Sequence, residues 1–335
     1  MRPTISVLLP CRDVEDVLPD AVESLCAQSF EDFEVVAVDD GSRDGTGQLL
    51  ADWAARDRRV RPLRTPPRGL VPALATAQAF ARGELIARMD ADDVAQPARL
   101  EAQAALMAER PDVAACGTHV RYFPRELVRE GAARYEAWLN SLASPASVER
   151  EIFVECPLAH PSLLVRRAAL LAVGGYRDVG WPEDYDLVLR LWVAGHRLAV
   201  VPRVLLHWRE APTRASRTDA RYAPASFRRC KVHYLARTLA VGRDGVVVWG
   251  AGPVGKAFAR ELLAQGLRVR AFVDLDPRKI GQEIHGARVV APGEIRRFRG
   301  ALAVAAVGSP GARADIRAVL DGAGWREMTD YCAVA

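Results

Sequence analysis

The chain has 335 residues, a net charge of +4, half of its residues hydrophobic and 26% charged. That length is long for one hydrophobic core, so two domains are expected, and the composition is that of an ordinary globular protein. The small positive excess, with lysine only at Lys231, Lys256 and Lys279, argues against a nucleic-acid partner and suits a phosphate-bearing substrate or an anionic membrane surface.

Cys11, Cys26, Cys116, Cys156, Cys230 and Cys332 lie far apart with no C-x-x-C pair. That pattern favours reduced thiols in a cytoplasmic protein over disulfides or structural zinc. No apolar run reaches the ~18 residues of a membrane-spanning helix, and the N-terminus lacks the pattern of a secretion signal. A cytoplasmic location is expected, with peripheral association at the inner face of the membrane left open.

Residues 4–10 read as a strand buried on both faces and ending at Pro10, with Cys11, Arg12 and Asp13 making the turn. Val17, Leu18, Ala21, Val22, Leu25 and Cys26 recur at helical spacing. A second strand over 33–38 ends in Asp39, Asp40, Gly41 and Ser42; a helix over 48–56, a strand over 60–63, a helix over 71–81 and a strand over 84–89 follow. This alternation predicts an α/β fold with a parallel sheet and helices on both faces. In such sheets ligands bind beyond the carboxyl ends of the strands, where Pro10 to Asp13, Asp39 to Ser42 and Asp90 to Asp93 all fall.

Asp90, Asp92 and Asp93 place three carboxylates within four positions at the end of a buried strand. Like charges there repel and are costly to desolvate. One reading is a site for Mg²⁺ or Mn²⁺, which take oxygen ligands and are often held by one or two carboxylates plus substrate phosphates. The other is an acidic loop opening the helix over 99–107, with Asp93 favoured near its N-terminus. Asp40 offers an acceptor to a base N–H or a ribose hydroxyl, and Arg12, Arg68 and Arg88 offer cations to phosphate. The run Asp40-Gly41-Ser42 also suits a plain turn.

On Ser6 to Pro10, on Gln28 to Ser42 and on Asp90-Ala91-Asp92-Asp93, the sequence resembles glycosyltransferase family 2 as far as about residue 215. The resemblance implies the GT-A nucleotide-diphospho-sugar transferase fold and sugar transfer with inversion. It implies that Asp40 contacts the base, and that Asp90 and Asp92 touch the ribose and the metal-bound diphosphate. Pro10, Arg12, Asp13 and Arg68 are then expected around the nucleotide. Two departures stand out: Cys11-Arg12 where a Tyr-Asn pair is common, and Ala75-Thr76-Ala77 where an Ala-Arg-Asn run is common.

Residues 113–117 read as a further strand, 121–142 as an irregular or helical insertion, and 168–173 as a helix. Glu183-Asp184 opens an amphipathic helix running to 194, where acids also serve as dipole partners. The pair matches the family's Glu-Asp motif, whose second acid is usually the base that takes the acceptor's proton. Asp184 is therefore the expected base and Glu183 its nearest rival, with Asp186 structural. After a strand over 197–201 and Pro202, His207 stands where relatives place a group on the metal or diphosphate. It is either a third metal ligand with Asp92 and Asp90 or a surface histidine beside Trp208. His160 is a candidate for the acceptor site; His119, His196, His233 and His285 read as ordinary.

Residues 212–229 read as a linker or flap and 227–239 as a bridging helix. A strand then meets Gly250-Ala251-Gly252-Pro253-Val254-Gly255, a helix to 263, and a strand over 269–273 ending at Asp274. That is the dinucleotide fingerprint in its strand–turn–helix context, with glycines for the tight turn and phosphate approach and the acid for ribose hydroxyls. A nucleotide, a nucleotide sugar or NAD(P) is the candidate ligand, and a fold kept for packing or dimerisation and an active oxidoreductase are the alternatives.

The expected organisation is a GT-A domain over 1–220, a linker helix over 221–242 and a small Rossmann-like α/β domain over 243–335. The expected activity is metal-assisted transfer, with Mn²⁺ or Mg²⁺, from a nucleoside-diphosphate sugar to a hydroxyl of a glycan, lipid-linked or small-molecule acceptor. A homo-oligomer is left open. The alternatives are a nucleotidyltransferase, which the absence of a Gly- and Lys-rich loop after the first strand disfavours, and a non-catalytic nucleotide-sugar sensor or assembly subunit.

Overall fold

The computed structural model describes residues 2–335 apart from Thr213, and gives the backbone alone at Ala215 and Ser216. The chain divides into two compact units. The first holds residues up to 148, 157–179 and 183–218; the second holds 149–156, 180–182 and 219–335.

The first unit opens as the alternation predicts: β1 (Ile5–Cys11), α1 (Leu18–Cys26), β2 (Phe33–Asp39), α2 (Thr46–Arg56), β3 (Val60–Arg64), α3 (Leu70–Phe80) and β4 (Leu85–Arg88). Then come β5 (Val94–Ala95), α4 (Arg99–Glu109), β6 (Val113–Phe123), α5 (Glu130–Leu139), α6 (Pro145–Glu151, its last three residues counted with the second unit), β7 (Leu164–Arg166), α7 (Arg167–Ala172), α8 (Glu183–Val193), β8 (Arg197–Arg209) and α9 (Ala215–Thr218). Among the described residues the sheet has eight strands in the order β3-β2-β1-β4-β7-β6-β8-β5.

β3, β2, β1 and β4 are parallel. Their apolar runs are continuous because both faces are covered: every residue of β2 is buried. Ile5, Val7, Leu9, Val35 and Ala37 pack against Leu18, Ala21, Leu25, Leu50, Trp53 and Leu100 to form the core, while α3 buries Val71, Ala73, Leu74 and Ala77.

The sheet is mixed beyond β4, which the parallel expectation for the first half did not reach. β7 runs antiparallel to β4 and β6, and β5 antiparallel to β8. Two further expectations are corrected. β6 runs on to Phe123 before the helical insertion begins, and Pro202 does not end β8. Thr118 faces Val201 and His119 faces Val204, so Pro202 and Arg203 bulge from the ladder, which accommodates a residue without an N–H.

The second unit contains α10 (Pro224–Arg237), β9 (Val246–Trp249), α11 (Pro253–Ala264), β10 (Val269–Val273), β11 (Glu283–Ile284), β12 (Ala287–Val290), β13 (Leu302–Ala305), α12 (Ala312–Gly322) and β14 (Tyr331–Ala333). Its sheet has the order β11-β12-β10-β9-β13-β14, parallel except for the β11–β12 pair. The expected linker helix is α10, and it is part of this unit. It buries Cys230, Val232, Tyr234 and Leu235, and the ammonium of buried Lys231 donates to the carbonyls of Val154 (2.6 Å) and Val334 (3.0 Å). From Ala215 onward the stretch read as a linker or flap is largely helical; Thr213 lies outside the described residues. All six cysteines are free thiols. Among the described residues no helix is long and apolar enough to cross a membrane.

Candidate functional site

β4 delivers the acids. After Arg88 the chain turns tightly, with the Asp93 N–H donating to the Asp90 carbonyl (3.3 Å), and returns as β5 against β8. Carboxylate oxygens of Asp90, Asp92 and Asp93 lie within 4.8 Å of one another. Two arginines brace the turn. The Arg209 N–H donates to Asp93 Oδ1 (2.8 Å) and its guanidinium to the Asp92 carbonyl (2.6 Å), while buried Arg99 donates to the Arg88 carbonyl (2.6 Å).

The electrostatics call for a cation. Burial first, and the Asp90 charge second, push the Asp92 carboxyl up to about 6. The same causes, with Asp92 added, hold Asp93 well above the usual carboxylate range. Asp93 is fully buried, and among the described residues its Oδ2 has no hydrogen-bond partner, which costs free energy unless a ligand supplies one. Three clustered hard oxygen donors, one of them orphaned, fit a Mg²⁺ or Mn²⁺ ion.

The third acid of the cluster is Asp93, and His207 is not among the clustered ligand atoms. In the β5–β8 ladder His207 faces Val94, an apolar residue, and the same strand brings Arg209 to the acids. The His207 ring lies against Gln96, with Nε2 to Nε2 at 3.4 Å, and near the Phe123 ring.

A polar layer continues from the acids toward α8. Arg88, 3% exposed, is ion-paired with Asp90, while its Nε and Nη1 are buried without hydrogen-bond partners among the described residues. Its charge acts on His160 and Tyr176. Burial, then Arg88, hold the His160 imidazole well below its ordinary value, so it is neutral. His160 Nδ1 stands 3.6 Å from Glu183, and Nε2 stands 3.3 Å from the Tyr176 hydroxyl. Glu183 is buried against this histidine, whereas Asp184 is half-buried at the helix start and its Oδ1 accepts from the Tyr185 N–H (2.7 Å). Asp186 makes a buried ion pair with Arg190 (2.7 Å), which in turn donates to the Val173 carbonyl.

The other predicted residues gather at the ends of β1 and β2. Gly41 adopts φ +71°, and a Cβ there would sit 2.6 Å from Pro67 Cδ, so the turn after Asp40 requires glycine. Asp13 accepts from the Arg43 N–H, and Arg12 lies 3.4 Å from Asp40. Pro10 is half-buried and the Arg68 side chain is exposed. Asp40, 3% exposed, accepts from the N–H groups of Arg68 (2.8 Å) and Gly69 (2.7 Å). Both of its oxygens therefore hold the loop at Arg68 and Gly69.

Sequence reasoning missed Arg214. Its guanidinium lies 4.6 Å from the centre of the Trp208 ring and 5.3 Å from that of Tyr122, over two rings stacked 5.0 Å apart. Its charge reaches Asp92 and Asp93. The pairing of Tyr122 with Trp208 follows from the β6–β8 register, which no local pattern reveals.

The sequence profile of glycosyl transferase family 2 matches residues 6–172. The chain is also 30% identical over 200 residues to EpsE of Bacillus subtilis (strain 168), covering 58% of this chain and 69% of that one. The chain belongs to glycosyl transferase family 2. Another relative is the amylovoran biosynthesis glycosyltransferase AmsE of Erwinia amylovora, 29% identical over 207 residues, with 61% of this chain and 74% of that one covered. Among solved structures, residues 1–349 of S. aureus TarS in complex with UDP-GlcNAc align with TM-score 0.57 and 19% identity, covering 70% of this chain and 66% of that one. The mannosyltransferase PcManGT of Pyrobaculum calidifontis, in complex with GDP-Man and Mn²⁺, aligns with TM-score 0.50 and 23% identity over 70% of this chain and 62% of that one. The chain thus spans about two thirds of the length of these structures, and the likeness is one of fold: the family's GT-A architecture.

Proposed function

We propose that this family 2 glycosyltransferase moves a sugar, with inversion, from a nucleoside-diphosphate sugar to a hydroxyl acceptor of a cell-surface polysaccharide or related glycan. The observation that carries this reading is the acidic cluster with its orphaned buried oxygen, joined through Arg88, Tyr176 and His160 to the Glu183–Asp184 pair. The relatives named for amylovoran and O-antigen biosynthesis support the polysaccharide class. The neighbours solved with UDP-GlcNAc, UDP and GDP-Man support a nucleotide-sugar donor.

Asp90, Asp92 and Asp93 would hold Mg²⁺ or Mn²⁺, which supplies charge neutralisation for the departing diphosphate. Arg12, Asp13, Asp40 and the loop at Arg68 shape the nucleotide end, with Asp40 acting through the amides it binds. Arg214, held over Trp208 and Tyr122, adds a cation beside the acids for phosphate oxygens. Asp184 takes the proton from the attacking acceptor hydroxyl, a step that needs a carboxylate reachable from the acceptor side. Glu183 is too enclosed for that role; with neutral His160 it fixes the start of α8, and so the position of Asp184.

The test is a thermal-shift screen of the full chain with UDP, GDP, dTDP and CDP, with and without Mn²⁺. A ligand at ~100 times its Kd stabilises the folded state by about 2.7 kcal/mol. The expected result is metal-dependent stabilisation by one diphosphate, lost in Asp92→Ala. No response to any of the four would overturn the reading. Donor binding without turnover in wild type and Asp184→Asn alike would favour a sensor.

A further inference from the structure

The second unit has a cavity of its own, about 320 Å³, at the carboxyl ends of β9, β10 and β13, walled by the starts of α11 and α12. Nothing in the transfer reaction uses it. Ligand pockets run from roughly 300 to 1,000 Å³, so its size suits one nucleotide rather than two.

The three glycines of the turn, of which Gly250 and Gly252 line the cavity, separate structural need from ligand space. A Cβ on Gly255 would lie 1.8 Å from the Gly250 carbonyl oxygen. Gly250 has φ +114°, and a Cβ there would lie 2.7 Å from Val307. Packing therefore demands both. Gly252 has ordinary extended backbone and nothing within 4 Å of where its Cβ would stand. It occupies the cap position of α11, where Asp, Asn or Ser would bind amides of the first turn, and among the described residues no side chain caps that helix. The fold tolerates a better cap there, and the sequence does not supply one.

The rim adds a second signal. Val254 and Leu275, 46% and 75% exposed, both line the cavity, an unusual outlay of apolar surface unless a ring packs on it. Asp274, the acid expected to take ribose hydroxyls, is otherwise engaged. It accepts from the Ala251 N–H (2.8 Å), the Asp276 N–H (2.9 Å) and the Lys279 ammonium (3.0 Å), so it braces the glycine turn. Asp315, exposed on the opposite wall at the first turn of α12, is the acid placed to meet ribose hydroxyls.

We propose that this cavity is a second ligand site that binds a nucleoside diphosphate group. The diphosphate sits on the Gly250–Gly255 turn and the α11 amides, the base packs against Val254 and Leu275, and the ribose faces Asp315. Backbone amides meet the phosphates here, so binding needs no divalent ion, unlike the acidic site of the first unit.

The test is calorimetric titration of the full chain in EDTA with UDP, GDP, ADP, UDP-GlcNAc, GDP-Man and NAD⁺. The expected result is single-site binding of at least one, unchanged in Asp92→Asn. It should weaken at least tenfold in Gly252→Asp, which places a carboxylate where the phosphates lie. Gly252→Asp should melt no lower than wild type because aspartate caps the helix. If it misfolds, Leu275→Ala at an exposed position replaces it and should weaken binding several-fold. Preference for a sugar nucleotide or for NAD⁺ identifies which molecule carries the group. Absence of binding by the whole series in EDTA, full affinity in both variants, or loss of binding in Asp92→Asn would overturn the proposal.

Discussion

At Asp92 the folded chain holds its carboxyl at about 6, through burial and the charge of Asp90, against an ordinary value of 3.8. Between those values the native state binds a proton that the unfolded chain has released. Without metal, its contribution to stability therefore falls as pH rises through the window and is level above it. A divalent ion competes with that proton. Mn²⁺ should raise the melting midpoint markedly at pH 7.5 and little at pH 5, and Asp92→Asn should flatten the metal-free profile over the same window. An equal Mn²⁺ shift at both pH values would contradict this account. At the neighbouring acids the roles divide by exposure. Asp184→Asn should lower turnover roughly 10²–10⁴-fold with donor affinity kept. Asp186→Ala strands buried Arg190 and should cost about 3–5 kcal/mol of stability in urea denaturation, leaving donor affinity alone.

Among the elements, α11 shows how a motif mixes packing with function. Gly255→Ala forces a methyl against the Gly250 carbonyl and should destabilise by about 1–3 kcal/mol, whereas Gly252→Ala, with open space around it, should stay within ~0.5 kcal/mol. Denaturant midpoints of the two variants check this, and equal losses would refute it. The strands β1, β2 and β4 were legible because each is a short apolar run stopped by polar residues. β8 was legible only to Pro202, since the bulge that carries the strand past it depends on its partner β6. The same bulged register sets Tyr122 beside Trp208, and with them the perch of Arg214.

For the whole molecule, the expected cut at residue 220 does not match how the chain packs. Residues 149–156 belong to the second unit, where Glu151 is bound by Arg313 (2.9 Å) and Arg317 (2.7 Å) and the Val154 carbonyl by Lys231. Ile152 and Phe153 are fully buried. A fragment ending at 220 would lack those partners, and each side chain left uncovered forfeits roughly 1.5–3 kcal/mol. Such a fragment should be poorly soluble or melt well below the full chain; one that melts like the full chain would contradict this division.

The sequence by itself determined the alternation of strand and helix, the acids at the strand ends, the glycine turn of the second unit and the family. All of these are written in neighbouring residues, as period-two or helical spacing or as charge and glycine runs at fixed offsets. Only the tertiary structure decided that Asp93 joins Asp90 and Asp92 in one acidic cluster, that Asp40 and Asp274 bind backbone amides, and that Glu183 lies enclosed while Asp184 does not. It also decided that a segment from mid-chain joins the second unit. Each of these depends on strand register or on burial by residues far away in the chain, and neither quantity is carried by the residues alongside.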